Sequence, residues 1–266
     1  MAYSLSTLRR KNERKPIRAT IYGSGGIGKT TFAASAEAPV FLCVEDGLGD
    51  LDVPNWDVSK GTFSDVMEAI IALYNEEHDR KTLIIDSLDW LEPKVWAETC
   101  ARGDAKGPWK DIETPGYGKG YAAATDVWCE LIDGLNALRN DRSMNIILIA
   151  HSQVKTFNSP ETEPYDRHEL KLHKGASAKI IEWSDLLLFC NYRTSIVKTD
   201  KGFKKTHTRG VSGGDRLGYT NERPAWLAKQ RFNLPDSISL DIGFAGILDI
   251  INGRLQAADA EVSEAA

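Results

Sequence analysis

The sequence predicts an α/β fold in which helices flank a mostly parallel central sheet, with a β-hairpin region near the C-terminus. Three observations carry that expectation. Segments Val40–Val44, Thr82–Asp86 and Asn145–Ala150 have unbroken apolar centres, as strands buried on both faces do. Between them lie stretches of helical period, such as 63–74 with Val66, Ile70 and Leu73 on one side. Finally, Gly23-Ser24-Gly25-Gly26-Ile27-Gly28-Lys29-Thr30 reads G-x-x-x-x-G-K-[ST] between a strand-like Arg18–Tyr22 and a helix-like Thr31–Ala36.

Composition bounds the rest. With 266 residues, 42% of them hydrophobic, the chain can bury one large core carrying small appendages. The expected division is a basic arm over 1–16, a single domain over 17–256 and an acidic tail over 257–266. A net charge of -5 offers no global attraction for polyanions, so any nucleic-acid contact has to be a local basic patch. Cys43, Cys100, Cys129 and Cys190 are scattered without metal-ligand spacing, which suits reduced thiols and a cytoplasmic setting. No apolar run is long enough to span a bilayer, so no membrane partner is expected. The start, with Arg9, Arg10, Lys11, Arg14 and Lys15, has no hydrophobic segment behind it and does not read as a secretory signal.

The glycine-rich stretch is a phosphate-binding P-loop. Glycines let the backbone approach phosphates without a Cβ in the way, and the amides of the first helical turn point at the anion. Gly23 to Thr30, together with the next residue Thr31, are therefore the candidate nucleotide-binding residues. Lys29 would reach the β- and γ-phosphates, and the Thr30 hydroxyl would bind Mg²⁺, which implies ATP with Mg²⁺ as the cofactors. The next strand, Val40–Val44, ends in Glu45-Asp46-Gly47. Open α/β sheets place ligands at strand C-termini, so either carboxylate could polarise an attacking water. Asp46-Gly47-Leu48-Gly49 also fits D-x-x-G, but no N-K-x-D follows to read guanine. Thr82–Asp86 has the Walker B form, with Asp86 expected at the metal and Asp89 as its fallback.

Residues 104–120 combine Trp109, Tyr117 and Lys106, Lys110, Lys119 in a glycine-rich loop, and Tyr121 follows it. Such interleaving can stack bases and neutralise phosphates of single strands. A helix is expected from there to about Asn140, its apolar side built from Val127, Leu131, Leu135 and Leu138. The strand Asn145–Ala150 ends at His151, a polar residue placed to hydrogen-bond a γ-phosphate. A second long polar loop is expected over 155–175. Then come a short helix Ala176–Trp183, a strand Leu186–Cys190 and a hairpin over 195–208 turning at Asp200-Lys201-Gly202. That hairpin holds the densest basic stretch: lysines 198, 201, 204 and 205 with Arg209. Lys229 and Arg231 would share one side of an extended segment, and a helix at 244–251 closes the fold.

In this order the elements resemble the RecA-type ATPase core over roughly 17–240. The resemblance implies that Glu45, rather than Asp46, is the catalytic carboxylate. It also implies that the loops at about 102–120 and 154–175 bind DNA. More narrowly, the chain is similar to phage-encoded Sak-type single-strand annealing ATPases, which are short and carry a histidine at the position of His151. Their late K-x-R element matches Lys229 and Arg231, whose related K-N-R-F-G form in the RadA branch reaches a neighbouring subunit's nucleotide. Here Gln230 replaces the asparagine and Asn233 the glycine.

What the resemblance implies is an ATP-dependent, single-stranded-DNA-binding protein of phage-type recombination or annealing. It would act in the cytoplasm of a bacterial host as a homo-oligomeric ring or filament, with a single-stranded-DNA-binding protein as a further partner. The catalytic set would be Lys29, Glu45, His151, Lys229 and Arg231. The alternative is a P-loop ATPase serving as a DNA motor, loader or partitioning factor without annealing activity.

Overall fold

The structure is a computed structural model that describes residues 14–201 and 205–256, with backbone alone for 194–201 and 205–213. Most of the basic arm, the hairpin tip with Gly202, the lysine-rich side chains of the hairpin and the acidic tail lie outside the described residues.

The chain begins with β1 (Arg18–Gly23), α1 (Lys29–Ala34), β2 (Pro39–Cys43), β3 (Asn55–Asp57), α2 (Phe63–Asn75), β4 (Thr82–Asp86) and α3 (Leu88–Arg102). It continues with α4 (Lys119–Asp141), β5 (Asn145–Phe157), β6 (Tyr165–Leu170), α5 (Lys174–Trp183), β7 (Leu186–Lys201) and β8 (Lys205–Tyr219). The last elements are β9 (Lys229–Gln230), β10 (Ser237–Ser239), a 3₁₀ turn Leu240–Ile242 and α6 (Gly243–Ile251).

Among the described residues the strands form one sheet in the order β10-β8-β7-β1-β5-β4-β2-β3. From β3 to β7 every neighbouring pair is parallel, whereas β8, β10, β6 and β9 join antiparallel. This is the expected α/β sheet with its C-terminal hairpin, β7–β8. One strand, β5, is inserted between the P-loop strand β1 and the Walker B strand β4. As a result His151 is in register with Gly23, and Asp86 with Cys43 and Ile149.

Both faces of the sheet are apolar, and the period-two alternation of the strands divides the core. Leu83, Ile85, Ile146 and Leu148 pack under α2, α3, α4 and α5. Ala19, Ile21, Ile84, Ile147 and Ile149 pack under α1 and α6, where Phe32 and Phe244 meet edge to face. At the start of α2, the Thr62 hydroxyl accepts from the Asp65 amide while Asp65 reaches back to the Thr62 amide, so two otherwise orphaned donors are satisfied.

One sequence expectation is corrected, and one element is added. The polar loop expected over 155–175 is instead a β-hairpin: β5 runs on to Phe157 and returns as β6, with Lys155 opposite Arg167. Its side chains are polar because this ribbon stands outside the core. Its hydrogen bonds come from the partner strand, which composition does not reveal. The helix α3 was not foreseen. Its apolar positions are interrupted by Asp89, Glu92 and Pro93, and Glu92 is buried.

Candidate nucleotide site

The P-loop leaves β1 at Gly23, where a Cβ would sit 2.2 Å from the Cys190 carbonyl oxygen of neighbouring β7. Only glycine fits that approach. The loop then turns through Gly26 and Gly28, with φ of 74° and 99°, before α1 begins at Lys29. Ile27 turns its side chain into the core, so only its backbone faces the loop.

Lys29 is buried, and its ammonium folds back to donate to the carbonyls of Gly23 (3.2 Å) and Ser24 (2.9 Å). Burial lowers its pKa, while Asp86, Asp89 and Glu45 oppose that shift. The Thr30 hydroxyl donates to Asp86 Oδ2 at 2.7 Å. Burial raises the Asp86 pKa above the ordinary carboxylate value, against the pull of the Thr30 bond. The Asp86–Ser87 peptide is cis, and the Ser87 hydroxyl donates to Glu45 Oε1 at 2.6 Å. Glu45 is half-buried and faces the cleft, whereas Asp46 is exposed and does not line it.

His151 Nδ1 lies 2.9 Å from Asp89 Oδ2, and the His151 amide donates to Asp89 Oδ1 at 2.9 Å. Burial opposes ionisation of Asp89, yet the His151 contacts hold its pKa below the ordinary value. Asp89, expected as the fallback metal ligand, is thus spoken for by the histidine. The other ring nitrogen, Nε2, points at the loop, 4.0 Å from where a Cβ on Gly25 would be. Lys29, Thr30, Thr31, Glu45, Asp86 and His151 all line one cleft of about 510 Å³.

Lys229 and Arg231 are not in this site. Lys229 donates to the carbonyls of Ile181 and Glu182 at the end of α5, and Arg231 Nη1 lies 3.1 Å from Asp185 Oδ1. Asp185 precedes β7 and pairs with Arg18 at the start of β1. Since β1 has six residues, its two ends lie roughly 17 Å apart at the strand rise. These cations therefore cannot serve the chain's own P-loop.

Of the two segments expected to contact DNA, the first is irregular over 103–118, between α3 and α4, with Tyr117 fully exposed. The tyrosine after it, Tyr121, stacks on His173 at 4.1 Å with Trp96 edge-on to it. The two segments therefore meet at the starts of α4 and α5. Sequence reasoning missed Glu92, which accepts from the His173 amide and is pushed up to about 7 by burial. It also missed Arg216, which lies against Gly28. The one available signal for Glu92 was its position three residues after Asp89 on a common helix face.

No curated protein matches the sequence. Among solved structures, the chain is similar to the "RadB recombinase" at 12% identity, covering 85% of this chain and 88% of that one with a TM-score of 0.46. A family model described as "AAA domain" matches residues 15–232. With the P-loop, Thr30 bonded to Asp86 and β5 inserted between β1 and β4, the chain belongs to the AAA domain family of P-loop ATPases.

Proposed function

We propose that the chain hydrolyses ATP with Mg²⁺ and couples that hydrolysis to binding single-stranded DNA, in phage-type homologous recombination or strand annealing. The observation that carries the nucleotide half is the convergence of Lys29, Thr30, Glu45, Asp86 and His151 on one cleft. Mg²⁺ takes one or two protein oxygens and keeps phosphate oxygens and water for the rest. The Thr30 hydroxyl and Asp86 carboxylate, already within 2.7 Å of each other, are a donor set of that kind. When bound, the ion would neutralise charge on the β- and γ-phosphates.

Each side chain then has a task. Lys29 would exchange its loop carbonyls for phosphate oxygens. Glu45, oriented by Ser87, would accept a proton from the attacking water. His151, with Asp89 on Nδ1, would present Nε2 to the γ-phosphate and register its loss. Lys229 and Arg231 would act on a nucleotide held by a neighbouring copy in a homo-oligomer, since their own is out of reach. DNA would lie along 102–120 and the β5–β6 hairpin, where Lys106, Lys110, Lys155 and Lys171 accompany Tyr117 and Phe157.

The test is ATP turnover with and without single-stranded DNA at two salt concentrations. Stimulation that fades as salt rises supports the coupled reading. Turnover indifferent to DNA would leave an ATPase acting as a motor, loader or partitioning factor.

A further inference from the structure

Arg216 stands on β8, opposite Tyr192 of β7. Just before it the pairing slips: Thr194 faces Ser212 and Tyr192 faces Arg216, so β8 carries extra residues here, among them Gly214 at φ 85°. Bulges of this kind re-aim the following side chain and are common beside active sites. The slip delivers the guanidinium to the P-loop, where Nη1 lies 2.7 Å from the position a Cβ on Gly28 would take. Gly28 itself is required for its left-handed backbone, and the guanidinium lies close beside it.

The other terminal nitrogen, Nη2, donates to Asp241 Oδ1 at 2.6 Å. Asp241 belongs to the 3₁₀ turn that leads into α6, and α6 is tied to α1 by the Ala245 amide donating to the Ser35 hydroxyl at 3.3 Å. The side chains of this pair are 40% and 70% exposed. An ion pair so open contributes little to stability. What it does is hold a five-donor cation against the phosphate loop.

An incoming polyphosphate would find few protein cations in the cleft. Glu45, Asp50 and Asp86 line it, against the single ammonium of Lys29. We propose that Arg216 is a nucleotide-binding residue supplied by the same chain, its guanidinium contacting the α- and β-phosphates from the flank of the loop at Gly28. A planar fork suits paired phosphate oxygens in a way that the point charge of Lys29 does not. The proposal rests on the reading of the P-loop cleft as a nucleotide site.

The experiment is equilibrium binding of fluorescent ADP and ATP analogues to the full chain and its variants, with melting temperatures alongside. Arg216→Ala is expected to weaken both nucleotides alike, by about tenfold. Arg216→Lys should recover part of that loss, and Asp241→Asn should keep wild-type affinity or exceed it, since it frees the guanidinium. Unchanged binding by Arg216→Ala would overturn the proposal, as would a loss confined to ATP. Equal losses of affinity and melting temperature in Arg216→Ala and Asp241→Asn would reduce the pair to a structural clamp. Failure of the wild-type chain to bind either nucleotide would instead sink the reading of the cleft itself.

Discussion

The two ends of β1 carry opposite charge arrangements. At its C-terminal end, Glu45, Asp86 and Asp89 surround one buried ammonium, Lys29. At its N-terminal end, the guanidiniums of Arg18, Arg139 and Arg231 surround one buried carboxylate, Asp185. Burial works against the charge of Asp185, but the Arg18 contacts and the other cations hold its pKa below the ordinary value. Carboxylates in excess suit a site that takes a cation together with a polyphosphate. Guanidiniums in excess suit an anion arriving from elsewhere. One parallel strand thus separates an acid-rich cleft beside the P-loop from a guanidinium cluster that lies out of its reach.

The comparison breaks most sharply at Lys29. Lys29→Ala is expected to lower ATP turnover by at least about a hundredfold while the circular dichroism spectrum stays that of the wild type. Unaltered turnover would remove the P-loop from the mechanism.

At the opposite pole the expected loss is of stability. Asp185→Ala leaves neighbouring guanidiniums without their shared partner and should cost about 3 kcal/mol in denaturant unfolding. A variant as stable as the wild type would mean that Asp185 organises nothing.

Mixing joins the two poles. Chains carrying Arg231→Ala, mixed with chains carrying Glu45→Ala, should regain part of the turnover, because one kind keeps an intact cleft and the other an intact Arg231. Once co-assembly has been demonstrated, no recovery at any ratio would argue against a site shared between copies.

The smallest effect is expected at Glu92, one turn beyond Asp89. Its folded-state pKa of about 7 lies above the ordinary 4.5. Its stabilising contribution is therefore complete below the ordinary value and lost as pH rises through about 7. Glu92→Gln should abolish that loss and melt roughly 3 °C above the wild type at alkaline pH, with the two converging in acid. Parallel melting profiles across the range would show that Glu92 does not titrate in this window.

Much of this was legible along the chain because its signals are local. Thr82–Asp86 and Asn145–Ala150 announce buried parallel strands by unbroken apolar runs, and the P-loop spacing needs only eight consecutive residues. Lys29 and Thr30 follow from that spacing, Glu45 and Asp86 from their places at or just beyond the ends of β2 and β4, and His151 from following the apolar run Asn145–Ala150, where β5 stops pairing with β1. The β5–β6 ribbon was not legible, since its hydrogen bonds depend on a partner strand and its polar composition imitates a loop. Nor was α3, where Pro93 and the acids of a working face overwrite the apolar period.

By itself, then, the sequence determined the fold class, the phosphate loop and the acids that follow it, for these depend on residue type and short spacing. Only the tertiary structure decided which groups pair. It paired Asp89 with His151, turned Glu45 and not Asp46 into the cleft, and carried Lys229 and Arg231 to the far end of β1. It also brought Arg216 to Gly28 across a distance in sequence that no local pattern spans. The physical reason is register. Strand order and a bulge in β8 set which side chains share a few ångströms, and both are settled by long-range pairing.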